Sequence, residues 1–594
     1  MRKLLFSAAC GMILLSGCSK NDLTNREKYN REIINQNVQK IFGTTFSENH
    51  TWSSTVAGEI TVSSIPEGTE ELELIVLKKE EDGETSILIL NTTDVTGKSS
   101  ATLSYDAPES NEGLYVVYIS KTSYNVKKVE NNTVSSFATT KALPEGVTLP
   151  EGTPVIGAID DSYASIRNWN PGEKLYQLSD YTTQKISVSD YSDEFKDVFR
   201  SFIFSYFKNG RKYNNLPLVV KSGYYNHKAY PLTTGKDPII VSPVYKNDGG
   251  YKEVVNSDLY YYYFDEKQIG AQDTVEFLES LPKYKAIQFD QCIKADDEIC
   301  KHASYALIYW GEGTPELGTT GSYTFPEGYK IGFMVRAKTT AENNRKQGEL
   351  YGDGRLNNSV NKYGSFSSSK LGTDGPRMAW LTVNGRVLVC CESGTDTDFN
   401  DIILEIEGGV DPVTPVPELE NNVYTFCFED TLFGDYDMND VVIKAKRISD
   451  TKVEYSLVAC GAYDNLQIMN INGNKINQNT EVHKILGVEG GYVNTVKGRV
   501  FPVVTETVTV DKNFSFTDES TQPYIIDLST NKTIKISRKG EDPHGIMIPY
   551  DFKYPLETVC VKDAYTKFNS WGQNPVESTE WYLSPVEDKV FVTE

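Results

Sequence analysis

The chain has 594 residues, and 59 Lys and Arg against 82 Asp and Glu leave a formal net charge of −23. Such acidity argues against nucleic acid, or an anionic membrane face, as a partner. The length points to about four domains of roughly 150 residues, and 37 tyrosines with 44 glycines favour strands joined by tight turns.

Arg2 and Lys3 precede an apolar run from Leu4 to Leu15. Residues 1–17 therefore read as a signal peptide, too short for a span, which needs about 20 apolar residues. Leu15-Ser16-Gly17-Cys18 resembles the bacterial lipobox, in which the cysteine thiol is diacylated and the peptide is cut in front of it. The resemblance implies a Gram-negative envelope lipoprotein, lipidated at Cys18 and anchored in the outer membrane, facing either side. No second apolar span follows.

Ile33, Ile34, Val38 and Ile41 recur at helical spacing, with Gly43 as the stop, so residues 18–56 read as a lipidated tether and helix before the first domain. In 57–140, Leu72, Leu74 and Val76 alternate, Asp82-Gly83 signals a hairpin turn, and Ala101, Leu103 and Tyr105 alternate again, which predicts a small β-sandwich. Pro144, Pro150 and Pro154 mark a linker into a β-rich region, 155–409, with strands at 217–221 and 259–264 and a short helix near Asp273 to Leu281. A Pro-rich linker occupies 410–420. The last domain, 421–594, is mostly strands, with a late helix in which Ala564, Phe568 and Trp571 share a face. The expected class is all-β: a multi-domain β-sandwich, jelly-roll or immunoglobulin-like, with a few short helices.

Of nine cysteines, Cys10 leaves with the signal and Cys18 is lipidated. Without a C-x-x-C the rest support neither a zinc ribbon nor a redox pair. Cys292 and Cys300 are spaced for a short disulfide loop, while most of the others read as buried thiols. Adjacent Cys390 and Cys391 would point to opposite faces of a strand.

An acidic box occurs twice. The first copy carries Glu392, Asp396, Asp398, Asn400 and Asp401, and the second carries Glu429, Asp430, Asp435, Asp437, Asn439 and Asp440. Each reads D-x-D-x-N-D in front of a strand. Oxygens at positions one, three and five of a loop let a short backbone wrap calcium, which takes six to eight oxygens at about 2.3–2.6 Å. The box is not an EF-hand, which needs glycine at position six and glutamate at twelve. A metal-free corner, in which Asp and Asn bond their own backbone, would use the same residues. Several carboxylates in one loop nevertheless repel unless a cation or backbone amides neutralise them.

Phe428-Glu429-Asp430, the run Gly434 to Asp440, Glu481-Val482-His483, Tyr554-Pro555-Leu556-Glu557, Asp563-Ala564-Tyr565, Phe568, Trp571 and Trp581-Tyr582 make residues 421–594 resemble an LruC domain. Residues 325–409 are similar to the domain of unknown function 4114, whose members also end in an acidic box before a strand. This copy departs from that pattern at Glu392-Ser393, where a Glu-Asp pair is common. The resemblances imply a β-rich envelope protein and bring no catalytic residues.

Tyr260 to Phe264, with Tyr224 and Tyr225, read either as an aromatic platform for sugar rings or, more simply, as a strand selected for packing. The five histidines are too scattered for a zinc site, and no G-x-S-x-G, H-E-x-x-H or phosphate loop occurs. The sequence therefore points to a non-enzymatic lipoprotein whose boxes bind calcium, in an adhesive or scaffolding role with an unidentified glycan or protein ligand. A glycan-binding module is the alternative, followed by a hydrolase within 155–325.

Overall fold

The computed structural model describes residues 22–80, 85–121, 123–134, 147–159, 175–177, 185–186, 188, 190–207, 230–246, 257–265, 267, 275–289, 299–301, 303–337, 349–357, 377–392, 398–411 and 419–593. Cys18, Asp82-Gly83, the expected strand 217–221, Tyr224, Tyr225, Asp273, Cys292, Asp396 and residues 412–418 of the linker lie outside them. The fold is all-β, with several sheets and a few short helices. It divides into two compact units. One comprises the described residues up to Ala57, Asp106–Ser110, and the chain from Asn422; the other comprises Gly58–Tyr105 and Asn111–Asn421.

In the Gly58–Asn421 unit two six-stranded sheets enclose a core. The first runs in the order Met378–Val383, Arg386–Cys391, Ile402–Gly408, Ile239–Lys246, Ser304–Ala306, Lys185–Ile186. The second runs Glu349–Tyr351, Tyr329–Ala337, Ser257–Asp265, Lys283–Gln288, Leu175–Gln177, Ala158–Ile159. Val241, Val389 and Leu404 of one sheet meet Tyr261, Ile331 and Phe333 of the other. The first sheet is buried on its far side too, where Leu381, Leu388, Cys390 and Ile403 share a core with Ile75, Ile89, Val117, Phe199 and Phe202. Burial on both faces explains why Met378–Val383 and Arg386–Cys391 are continuous apolar runs rather than alternating ones. It also places Cys390 in one core and Cys391 in the other. Cys390, Cys391, Cys427, Cys460 and Cys560 are buried thiols.

The strands of 57–140 therefore do not close a core of their own. Thr69–Lys79, Thr85–Asp94, Leu114–Ser120 and Tyr124–Lys128 form a sheet joined at its edge by Glu420–Asn421. Their apolar face is covered by a helical stretch that the sequence reading did not anticipate. Asp193–Val198 is capped by Ser192, whose hydroxyl accepts from Phe195 N at 3.3 Å, and continues through a wide turn, Phe199–Ile203, into Phe204–Tyr206. Phe195, Phe199, Phe202 and Tyr206 are buried along it, at the i, i+4, i+7 spacing that would have revealed it.

Ser257–Asp265 carries the tyrosine run. Tyr261 and Tyr263 enter the inter-sheet core, while Tyr260, Tyr262 and Phe264 enter a second cluster with Tyr230, Leu278 and Met334. Tyr261 Oη donates to Ile308 O at 2.7 Å, and Gly332 lies so close that a Cβ there would meet the Tyr262 ring at 2.2 Å. The ammonium of buried Lys283 donates to Leu278 O, Glu279 O and Leu281 O at 2.7–2.9 Å, satisfying the carbonyl end of helix Val275–Ser280. With both faces enclosed the run is packing, and it offers no ring to a sugar.

In the unit built on Asn422–Glu594, the sheet Val504–Thr509, Lys452–Ala459, Val441–Ser449, Val423–Phe428, Gly545–Ile548 packs on Leu466–Met469, Tyr524–Asp527, Lys532–Ile534. Phe426, Ile443 and Leu457 meet Ile468, Ile525 and Ile534 between them. Asp106 belongs here because its buried carboxylate accepts from Phe516 N at 2.9 Å and Thr517 N at 3.2 Å. The N-terminal helix, Asp22–Phe42, stops at Gly43 (φ 73°). Phe42, Phe46 and Trp52 then lie against Phe568 and Trp571, at ring separations of 5.6–6.1 Å. The expected tether thus packs on the C-terminal elements, because its aromatic end needs an apolar partner. The late helix is two, Val561–Ala564 and Phe568–Gln573, with Ala564, Phe568 and Trp571 all buried.

Because both faces of Ser257–Asp265 are core, Tyr261→Ala and Tyr262→Ala should each lower stability by about 3–5 kcal/mol, the range for truncating a buried aromatic. Urea unfolding is the measurement, and wild-type stability at either position would contradict the packing.

Candidate metal centre

Each acidic box is the connection of a β-hairpin. Arg386–Cys391 pairs antiparallel with Ile402–Gly408 up to Cys391 and Ile402, leaving 392–401 as the loop. Val423–Phe428 pairs with Val441–Ser449 up to Phe428 and Val441, leaving 429–440. The first residue of each loop is a glutamate with no exposed surface, which accepts hydrogen bonds from backbone amides later in the loop. Met438 N donates to Glu429 Oε1 at 2.6 Å and Tyr436 N to Oε2 at 3.1 Å. In the first copy Phe399 N donates to Glu392 Oε2 at 3.2 Å.

The likeness continues atom by atom. Asn439 N donates to Asp437 Oδ1 at 3.3 Å, and Asn400 N to Asp398 Oδ1 at 3.4 Å. The amide nitrogen of Asn439 reaches Pro555 O at 3.1 Å, and that of Asn400 reaches Phe207 O at 2.9 Å. Tyr436, Met438 and Phe399 have φ near +58°, a left-handed conformation that side chains with a Cβ seldom adopt. Their side chains are fully buried, so packing and the glutamate hydrogen bonds together hold that backbone.

The two copies differ in what they gather. Oxygens of Glu429, Asp435 and Asp437 all lie within 4.8 Å of one another, with Asp435 exposed and the other two buried. Donors at about 2.4 Å around one calcium ion stand no more than about 4.8 Å apart, so this trio fits a single ion. Asp440 Oδ2 accepts from Asp430 N at 2.6 Å and is half-buried, as is Asp430. In the first box Glu392, Asp398 and Asn400 are buried and Asp401 half-buried. Asp396 lies outside the described residues, so no equivalent trio is seen.

Burial and mutual repulsion raise every acid of the second group whose shift is resolved. Asp437 is pushed up to about 8 by burial and then by Asp435 and Glu557. Glu429 and Asp440 stand well above the ordinary carboxylate range for the same reasons, first burial and then the charge of Asp440 on Glu429 and of Asp430 on Asp440. Asp430 is raised as well. Among the described residues none of Glu429, Asp430, Asp435, Asp437 or Asp440 forms an ion pair with Lys, Arg or His. Such a group either keeps protons or takes a cation.

Sequence reasoning missed residues that approach this loop from far along the chain. Thr558 N donates to Asp437 Oδ2 at 2.7 Å, and Gly461 N to Asn439 O at 2.9 Å. Beside them Cys460 Sγ stands 3.5 Å from His483 Nε2, and His483 Nδ1 2.7 Å from Glu481 Oε1. That order matches a nucleophile, a base and an orienting acid. The thiol is fully enclosed, however, and burial holds its pKa above the usual range, whereas the reactive form is the thiolate. The chain of bonds fixes a helix start, where Glu481 caps Val482–Ile485.

Residues 501–582 match a family described as a domain of unknown function, DUF4842. No curated protein matches the chain. Among solved structures, the crystal structure of a candidate lipoprotein from Bacteroides ovatus is 12% identical and aligns over 44% of this chain and 90% of its own, with a TM-score of 0.19. At that score the likeness carries no argument about fold or function. No helix among the described residues is long and apolar enough to cross a membrane.

A carboxyl whose folded pKa is raised binds its proton more tightly in the folded chain than in the unfolded one. Its contribution is therefore complete below the ordinary carboxylate range and is lost as pH rises through the folded value. In chelator the melting temperature should thus fall as pH rises from about 4 to about 8, the window between the ordinary carboxylate value and that of Asp437 near 8. Asp437→Asn should flatten part of that slope, and saturating calcium should flatten the wild type. A wild-type slope that Asp437→Asn leaves unchanged would remove this carboxylate as its source.

Proposed function

We propose that the chain is a lipid-anchored envelope protein that binds calcium through its second acidic box and uses the ion to stiffen the surrounding domain. Its role on this reading is adhesive or scaffolding and not catalytic. The observation that carries it is the convergence of Glu429, Asp435 and Asp437 within 4.8 Å with no ion-paired Lys, Arg or His among the described residues. Calcium suits the donor set because every donor is a hard oxygen and one ligand, Asp435, faces solvent, leaving positions for water or an external oxygen. The LruC resemblance supports this reading, since Phe428 to Asp430 and Gly434 to Asp440 are the residues that build the loop. Anchoring rests on Leu15-Ser16-Gly17-Cys18, and loss of labelling by a palmitate analogue in Cys18→Ala is its test.

A glycan-binding role is the second reading, and the observation favouring it lies beside the same loop. Tyr463 is 73% exposed, its ring stands 4.8 Å from that of Tyr492, and Tyr492 feels the charges of Glu557 and Asp435. An exposed ring and a half-buried one beside a cation site can hold a sugar by stacking and by its hydroxyls. A glycan array with and without calcium separates the two readings.

If calcium binds only the folded chain, stability rises by RT ln(1 + [Ca]/Kd), about 1.4 kcal/mol at ten times Kd. With Kd of roughly 0.1–1 mM, usual for extracellular modules, millimolar calcium should raise the melting temperature by a few degrees and chelator should reverse it. Asp437→Ala should abolish most of that shift, and Asp398→Ala less of it. Equal destabilisation by both variants with and without chelator would leave a metal-free corner as the explanation.

A further inference from the structure

The second box holds a polar atom that the hairpin alone does not account for. Asn439 is fully buried, and its Oδ1 has no hydrogen-bond partner. Turning the amide over does not resolve this, because its nitrogen already donates to Pro555 O at 3.1 Å and an oxygen in that place would face a carbonyl. The orphaned oxygen points to the space over Gly461, where a Cβ would stand 2.0 Å from it and 3.0 Å from Glu557 Oε2. The two oxygens are thus at most about 5 Å apart, against about 4.8 Å for two donors at about 2.4 Å on opposite sides of one calcium ion. Glycine at 461 keeps that space clear.

Glu557 is held in place from three sides. Its backbone N donates to Thr495 O at 2.9 Å, its Oε2 accepts from Thr495 Oγ1 at 2.9 Å, and the next residue donates to Asp437 Oδ2 at 2.7 Å. That next residue, Thr558, has φ +65°, a conformation that persists in a non-glycine residue only where its surroundings hold it. Like the box acids, Glu557 makes no ion pair among the described residues.

We propose that Asn439 Oδ1 and the Glu557 carboxylate complete the cation site of the second box, so that one divalent ion ties the hairpin loop 429–440 to the segment 555–558. The inference rests on the calcium reading above and adds a ligand that lies outside the repeat. Among the described residues the first box shows no counterpart, since its Asn400 bridges to Phe207 O, beside Phe204–Tyr206, which carries no carboxylate. The ion then acts as a clasp. Without it, the loop and the segment are joined through the hydrogen bonds of Asn439 to Pro555 O and of Thr558 N to Asp437.

Calorimetric titration of the full chain with calcium chloride tests this. Glu557→Gln should weaken calcium binding by at least about tenfold, the low end for losing even a supporting partner of a metal ligand, while its melting temperature in chelator stays at the wild-type value. Calcium should also protect residues 555–593 from limited proteolysis in the wild type and not in Glu557→Gln. Where the Gln variant fails to fold, Glu557→Asp keeps the charge and withdraws the oxygen by one methylene; weaker binding there supports the clasp. Wild-type affinity and protection in a folded Glu557 variant overturn the inference and leave the box as a calcium site. Absence of calcium heat with the wild type overturns both.

Discussion

A carboxylate without exposed surface, set at the first position of a hairpin loop, organises the chemistry-bearing part of this molecule. Among the described residues Glu429 forms no ion pair with lysine or arginine; the loop turns its own amides inward at Tyr436 and Met438 to bind it. That arrangement forces the left-handed backbone at both residues and sends their side chains into the core. It also alternates them with Asp435, which is exposed, and with Asp437 and Asn439, which are buried. The D-x-D-x-N-D alternation is thus the imprint of one buried glutamate on the chain around it.

Rigidity reaches the loop through aromatic packing. Tyr436 stands 5.1 Å from Phe42 in an edge contact, and Phe42 stacks toward Phe568 at 5.8 Å. His50 lies 4.1 Å from both Trp52 and Trp571, and burial lowers its pKa to about 4. The imidazole is therefore neutral at physiological pH, accepting from Trp52 N and facing Trp571 O. A loop seated on such a lattice keeps its carboxylates at fixed separation, and fixed separation is what lets a group of like charges discriminate between ions.

The parts legible in the sequence were those set by local period. Alternation exposed the strands at 69–79 and 101–108, apolar spacing and Gly43 exposed the N-terminal helix, and the repeat exposed both boxes, because each of these is written within some twenty residues. What escaped depends on contacts between distant residues. The strands of 57–140 alternate as a half-exposed sheet would, yet their apolar face is covered by residues 195–207. The tyrosine run shows no alternation because both of its faces are core, and a run of that kind cannot be told from a surface platform by composition. Glu557, Gly461 and Thr558 reach the second box from positions more than twenty residues beyond it. A single sequence has no signal for that approach.

The two boxes show how one piece of backbone serves two ends. Both enclose a glutamate, both place an Asp-bonded Asn at the end of the loop, and both use that Asn amide to hold a distant carbonyl. In the first copy the carbonyl belongs to Phe207, at the end of an apolar helix, so the loop acts as a bracket between helix and sheet. In the second it belongs to Pro555, two residues before an acid, so the same bracket draws another carboxylate toward a loop already crowded with them. Repulsion on that scale destabilises the folded chain unless something offsets it. Hydrogen bonds from Tyr436, Met438 and Thr558 offset part, and the remainder is the binding energy available to a cation. The bracket is structural in both copies; only the charge gathered behind it makes the second a candidate site.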